Sequence, residues 1–332
     1  MSKITTYDFI DSNKRKTIGL MALFPLSLAV VVYLSILLFS SLSAPYVETG
    51  TPGNHPSSLD IANQLAIYVL PIISAIAIVW VLISYFFGQN FIFSISGAAE
   101  LTKNRAPELV RMVENVAMTA GLPMPKVYII HDESLNAFAT GRNPEHSYIA
   151  LTKGLVDKLE KPELEGVIAH EMAHIGNRDI SLMLIMVVGI SFATVAANLL
   201  LRMGLGKSSN KKGGAIQLLL IALALALYAY GYLIAPLIKL ATSRTREFQA
   251  DATAALLTRN PEGLANALRK ISKNSVVQTL RDKETMAAMC IESPLASDNH
   301  PSFFSKLSGL FATHPPIEDR IKALMAMDGH RS

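Results

Sequence analysis

At 332 residues the chain has room for one large domain or two smaller ones. Apolar residues make up 51% and charged residues 17%, and mean hydropathy is +0.34, a balance that excludes an ordinary soluble protein and points to membrane spans. A net charge of +4 without a basic–aromatic pattern gives no footprint for nucleic acid, and a single cysteine, Cys290, excludes an intramolecular disulfide framework and suits a reducing compartment for the soluble part.

Residues 1–17 are polar and end in Lys14-Arg15-Lys16. The run from Ile18 to Leu42 carries no charge and is long enough to cross a bilayer. Ser41-Leu42-Ser43-Ala44 resembles a signal cleavage site, but the run exceeds the roughly 7–15 residues of a signal core, so it reads as an uncleaved anchor. The basic N-terminus belongs in the cytoplasm. The loop at 43–64 has Glu48 and Asp60 as its only charges and suits the outer side, and a second apolar run, Leu65 to Gly88, brings the chain back.

Residues 89–180 read as a small soluble α/β unit. Helical periodicity covers 106–120, strands are expected at 126–131, 136–141 and 147–152, and a short helix at 153–159 precedes a longer one. An edge strand there could take an extended peptide by main-chain hydrogen bonding, with 147–152 as the expected track for substrate. A third apolar run spans Ser181 to Leu201. A linker bearing Arg202, Lys207, Lys211 and Lys212 separates it from a fourth, Ala215 to Ile238. Ser243 to Ala255 reads as a helix, followed by helices near 261–272, 276–290 and 316–327.

The longer helix of the α/β unit contains His170-Glu171-Met172-Ala173-His174, an H-E-x-x-H pattern. Pro162 suits a first helical turn, and Glu163 and Glu165 suit the positive end of the helix dipole. Leu164, Val167, Ile168, Met172 and Ile175 recur at helical spacing, and Gly176-Asn177 is a stop. Residues four apart share a helix face, so His170 and His174 can offer two imidazoles to one metal ion, with Glu171 placed to take a proton from water. The competing reading is an amphipathic helix with two incidental histidines.

A catalytic zinc ion usually has three protein ligands and an open position. The metzincin pattern fails, because its Gly and His positions hold Asn177 and Ile180. Asp179 would lie about 180° from His170 if the helix continued, and Cys290 stands alone. Glu247 is the better candidate. If the third and fourth apolar runs form a hairpin, Glu247 returns to the side where the metal helix ended. Asp251, one turn later, could then hold a ligand histidine in its tautomer. The alternative is a solvated helix face answering Arg244 and Arg246.

Taken together, HEMAH at 170–174, the apolar hairpin and SRTREFQAD at 243–251 resemble the HtpX-type membrane zinc metalloproteases, in the peptidase family shared with the CAAX prenyl proteases. The likeness extends over nearly the whole chain, including NAFATG at 136–141 and THPPIEDRI at 313–321. It implies one catalytic Zn2+ held by His170, His174 and Glu247, Glu171 as base, and Asn136, His314 and Arg320 near the scissile bond. It also implies polypeptide substrates, above all misfolded or damaged membrane proteins, and a role in quality control beside other such proteases; with the charge pattern of the N-terminus and outer loop, the expected place is the inner (cytoplasmic) membrane with the catalytic part facing the cytoplasm.

The expected fold is α+β, a mainly helical integral membrane protein with about four transmembrane helices and a small gluzincin-like catalytic domain with a short β-sheet. Its expected divisions are a cytoplasmic N-terminus at 1–17, two spans with an outer loop at 18–88, a catalytic α/β part at 89–180, an apolar hairpin at 181–241 and a helical C-terminal part at 242–332. The basic linker at 202–214 conflicts with simple alternation across the membrane, so the hairpin either crosses or lies along the bilayer. A non-enzymatic scaffold or transporter is the main rival, but ionisable residues avoid the four apolar runs and mark no translocation path. An intramembrane protease is disfavoured because charged residues closely flank the metal helix. A purely structural zinc site would need Cys and His at all four positions.

Overall fold

The computed structural model describes residues 6–43, 57–206, 213–241, 244–273 and 315–328. Cys290, His314, the expected helix near 276–290, most of the loop at 43–64 and the basic linker residues Lys207, Lys211 and Lys212 lie outside the described residues.

The described residues are mainly helical, with one small sheet among them. Helix α1 (Thr6–Ser43) and helix α2 (Ser58–Ser96) are followed by β1 (Ala99–Leu101), α3 (Pro107–Ala120), β2 (Lys126–Ile130), β3 (Ala137–Asn143), β4 (His146–Thr152), α4 (Lys153–Lys158) and α5 (Lys161–Gly176). Then come α6 (Asp179–Leu205), α7 (Gly213–Ala241), α8 (Arg244–Thr258), α9 (Pro261–Ile271) and α10 (Ile317–Asp328). Both N-terminal helices outrun their apolar runs. Helix α1 begins inside the polar prelude, and α2 continues eight residues beyond Gly88.

Among the described residues, three helical stretches are long and apolar enough to cross a membrane: Ile10–Ser41, Ser58–Ser94 and Asp179–Leu205. Within α7 the stretch Ile216–Gly231 is apolar but shorter among the described residues. The chain divides into two compact units, one of 18–83 and 188–235, the other of 1–17, 84–187 and 236–332.

In the first of these units Phe24, Leu28, Ala77, Val81, Ala193, Ala197 and Leu227 pack together. Polar side chains pair across its helices, Ser27 with Tyr230 at 2.5 Å and Tyr228 donating to Asn198 Oδ1 at 2.8 Å. Such pairing keeps polar groups satisfied where lipid offers no partner. Ile18, Leu26, Ile67, Tyr68 and Ile72 are exposed, as side chains facing lipid would be.

The other unit carries a four-stranded sheet in the order β1-β2-β4-β3. Strand β2 runs parallel to β4, with Val127 opposite Ile149, while β1 and β3 pair antiparallel with β2 and β4. Strand β4 (147–152 in the sequence reading) therefore lies inside the sheet, with its main-chain groups paired on both sides. It cannot accept a peptide, and the expectation placing substrate along it is corrected. The edges are β1 and β3. The end of α2 leans on this sheet, where Phe93 stacks on Tyr128 with ring centroids 3.9 Å apart.

Helix α5 is buried on nearly every side rather than along one stripe. Val167, Ile168, Met172 and Ile175 share a core with Val113, Leu151, Leu155, Leu264 and Leu268. Each such aliphatic side chain contributes roughly 1.5–3 kcal/mol by leaving water. Gly166 allows the close crossing of α5 over α9, since a Cβ there would come 3.0 Å from the Leu264 backbone. An interior helix with no solvent face holds its polar side chains only where other groups answer them, and three of those side chains are His170, Glu171 and His174.

Candidate metal centre

Helix α5 presents His170, Glu171 and His174, and α8 presents Glu247 and Asp251. His170 Nε2 and His174 Nε2 lie 3.2 Å apart, with the rings nearly perpendicular at 88°. Glu247 faces both, its Oε2 being 3.8 Å from His170 Nε2 and its Oε1 3.7 Å from His174 Nε2. One donor atom from each of the three residues falls within 4.8 Å of the other two.

The far side of each ring is also engaged. His170 Nδ1 lies 2.9 Å from Asp251 Oδ1, and His174 Nδ1 lies 3.0 Å from Asp179 Oδ2. A carboxylate only accepts, so each Nδ1 donates to its carboxylate, and Nε2 is the ring atom each histidine can turn as a lone pair toward a metal ion. Two converging lone pairs and a carboxylate repel one another unless a cation or a proton lies among them. The donor set therefore fits a divalent metal ion.

Electrostatics agree. Burial disfavours the charged imidazole of His174, but the Asp179 hydrogen bond and the carboxylates of Glu247, Asp179 and Glu171 outweigh it and raise its pKa to about 9. Positive charge is thus favoured at this point in the absence of metal. Burial would raise the Asp251 pKa, but the Arg320 guanidinium and the His170 hydrogen bond lower it to about 2. Burial pushes the Glu171 carboxyl above its ordinary range, against the pull of His170 and His174, and the Ala139 backbone N–H on β3 donates to it.

Arg320, on α10, is fully buried. Its Nε and Nη2 donate to the two Asp251 oxygens at 2.8 and 2.7 Å, while Nη1 lies 3.6 Å from Glu247 Oε2. Asn136 is buried where β3 begins. Its backbone N–H donates to Thr152 Oγ1, and its side-chain oxygen accepts from the Ala137 N–H, both at 3.0 Å.

Asp179 is the residue that sequence reasoning passed over. A helix continued past Gly176 would carry it to the far face from His170. In fact α5 ends at Gly176, Arg178 takes a left-handed turn at φ 60°, and Asp179 opens α6 pointing back at His174. The Gly176-Asn177 stop was the signal that could have found it.

A buried His–His–Glu cluster able to hold a metal ion, in a chain with helices long and apolar enough to cross a membrane, is the arrangement expected of a membrane metalloprotease. The profile of Peptidase family M48 matches residues 103–328, and the chain belongs to that family. It is 40% identical over 310 residues to a Protease HtpX homolog of Bacteroides fragilis, covering 92% of this chain and 93% of the relative. It is 37% identical over 333 residues to a Protease HtpX homolog of Dictyoglomus thermophilum, covering 98% and 96%. Among solved structures it is similar to a crystal structure of S. mikatae Ste24p at 20% identity and a TM-score of 0.47, covering 89% of this chain and 61% of that one. The relatives and the family make the chain a metalloendopeptidase acting on polypeptides in a membrane setting, and the scaffold reading is not favoured.

Proposed function

We propose that His170, His174 and Glu247 hold one zinc ion and that Glu171 is the general base and acid of peptide-bond hydrolysis. The observation that carries this reading is the convergence of both Nε2 atoms and the Glu247 carboxylate, with both Nδ1 atoms held by Asp251 and Asp179. Two imidazoles and a carboxylate are a donor set that zinc favours. When bound, zinc lowers the pKa of water and polarises a carbonyl.

The chain's own residues supply the rest. Glu171 accepts a proton from the attacking water and returns it to the leaving amine. Substrate pairs as an extended strand with β3, the edge strand whose Ala139 N–H already meets Glu171. Asn136 sets the start of that edge. Arg320 acts through Asp251, and His314 is retained beside the scissile bond as the resemblance implies. The catalytic part combines 89–180 with 242–332 and faces the cytoplasm from the cell membrane. Its substrates are misfolded or damaged membrane proteins, in quality control shared with other proteases.

The test is hydrolysis of an unfolded protein by the detergent-purified chain, with zinc content measured alongside. Glu171→Gln is expected to keep zinc and lose about 10²–10⁴-fold in rate, and Glu247→Ala to lose both. Equal cleavage by wild type and both variants would overturn the assignments.

A further inference from the structure

Asp179 is held from two sides. Its Oδ2 accepts from His174 Nδ1. Its Oδ1 accepts from Arg246 Nη1 at 2.9 Å and from Asn13 Nδ2 at 2.8 Å. Asn13 Nδ2 also donates to the backbone oxygen of Asn177 at 2.9 Å, and Asn13 Oδ1 lies 3.3 Å from Arg246 Nη1. All three side chains are buried, Asn13 to 2% exposure, Asp179 to 5% and Arg246 to 5%. The cluster joins the first turns of α1, the left-handed turn between α5 and α6, and the start of α8. Asn13 reaches this turn across 166 residues of sequence.

We propose that Asn13 is a positioning residue of the metal centre, fixing through Asp179 the ring orientation and tautomer of His174. The inference rests on the proposed ligand set. An amide suits the place chemically. Its N–H group answers a carboxylate without adding charge, and its oxygen answers the guanidinium beside it. With Arg246 alone, Asp179 could turn to give both oxygens to the guanidinium, the bidentate geometry arginine favours, and His174 Nδ1 would lose its acceptor. The bond to Asn177 also pins the turn that aims Asp179. Because α1 is one continuous helix from Thr6 to Ser43, the first turns of the membrane anchor belong to the catalytic apparatus.

The experiment uses the full chain in detergent. Zinc affinity is measured by competition with a chromophoric chelator, and the visible absorption of the Co2+-loaded protein reports ligand geometry. Asn13→Ala, the near-isosteric Asn13→Asp, Asp179→Ala and the double variant Asn13→Ala/Asp179→Ala are compared with wild type, with exposed Lys16→Ala as control. Loss of such outer partners typically costs 10–100-fold in metal affinity. Asn13→Ala and Asn13→Asp should each weaken zinc binding at least tenfold and alter the Co2+ spectrum. The double variant should bind no more weakly than Asp179→Ala, because Asn13 acts through Asp179. Cleavage by Asn13→Ala at saturating zinc should show a lower kcat with KM unchanged.

Wild-type affinity in both Asn13 variants would overturn the proposal, as would additive losses in the double variant. So would a lower melting temperature of the metal-free Asn13→Ala chain with zinc affinity unchanged, since that marks a merely structural clamp. If wild type itself binds no zinc, the ligand assignment fails instead, and the two failures are thereby distinguished.

Discussion

Asp251 accepts from His170 Nδ1 at 2.9 Å while receiving two hydrogen bonds from Arg320, at 2.7 and 2.8 Å. One carboxylate therefore orients an imidazole of the metal cluster and neutralises a fully buried guanidinium. These duties separate experimentally. Asp251→Ala should weaken zinc binding about 10–100-fold and destabilise the metal-free chain by up to about 3–5 kcal/mol, the usual cost of removing one member of a buried ion pair, with Glu247 left as the remaining partner of Arg320. Asp251→Leu combined with Arg320→Met removes both charges and should recover much of the melting temperature while zinc affinity stays low. Thermal unfolding and chelator competition on the same samples check both halves. Recovery of affinity in the double variant would show that Asp251 serves stability alone.

Gly141 is where the β3–β4 hairpin depends on the lack of a side chain. Its φ is +143°, and a Cβ there would come within 2.3 Å of His146 O and 2.9 Å of Ser147 Cα, both backbone atoms that cannot move aside cheaply. Strand β3 is also irregular here, with a register shift between Gly141 and Asn143. Gly141→Ala should cost about 1–3 kcal/mol through strain and overpacking. Because β3 is the proposed docking edge, KM for an unfolded substrate should rise while zinc content stays at the wild-type level. A variant that loses zinc as well would show that the damage reaches α5 and is not confined to the edge.

The family-bearing parts of the site were legible because they are local or carried by pattern. His170, Glu171 and His174 lie within one helical turn, and Glu247 and Asp251 lie four apart on one face of α8. What the sequence could not supply is set by turns and by third-dimensional contacts. Asp179 meets His174 only because Arg178 adopts φ 60° and reverses the chain. Asn13 meets Asp179 from the far end of the sequence. Strand β1 has three residues, too few to show an alternating pattern. The internal position of β4 follows from strand order, which periodicity does not encode. Arg320 carries no local mark of burial, since its partner Asp251 is 69 residues away. Helices α1 and α2 run past the apolar runs because polarity sets where a helix leaves lipid, not where it stops.

Glu163 ties the start of α5 to α9, and so bears on how firmly the metal helix is seated. Its Oε2 accepts from the Glu160 backbone N–H at 2.8 Å and from Lys270 Nζ at 2.7 Å. Glu163→Ala removes the cap contact and should cost about 0.5–2 kcal/mol. Glu163→Gln keeps an oxygen for the cap and removes only the charge facing Lys270, so its loss should be smaller and should shrink with added salt. The Glu163 hydrogen bond comes first among the causes that raise the Lys270 pKa above its ordinary value. A raised lysine pKa stabilises the fold fully below the unfolded value and loses that contribution as pH climbs through the folded one. The stability gap between wild type and Glu163→Gln should therefore be flat across neutral pH and close in the strongly alkaline range, as followed by chemical unfolding at a series of pH values. A gap that instead widens with rising pH would show that Lys270 is held by groups other than Glu163.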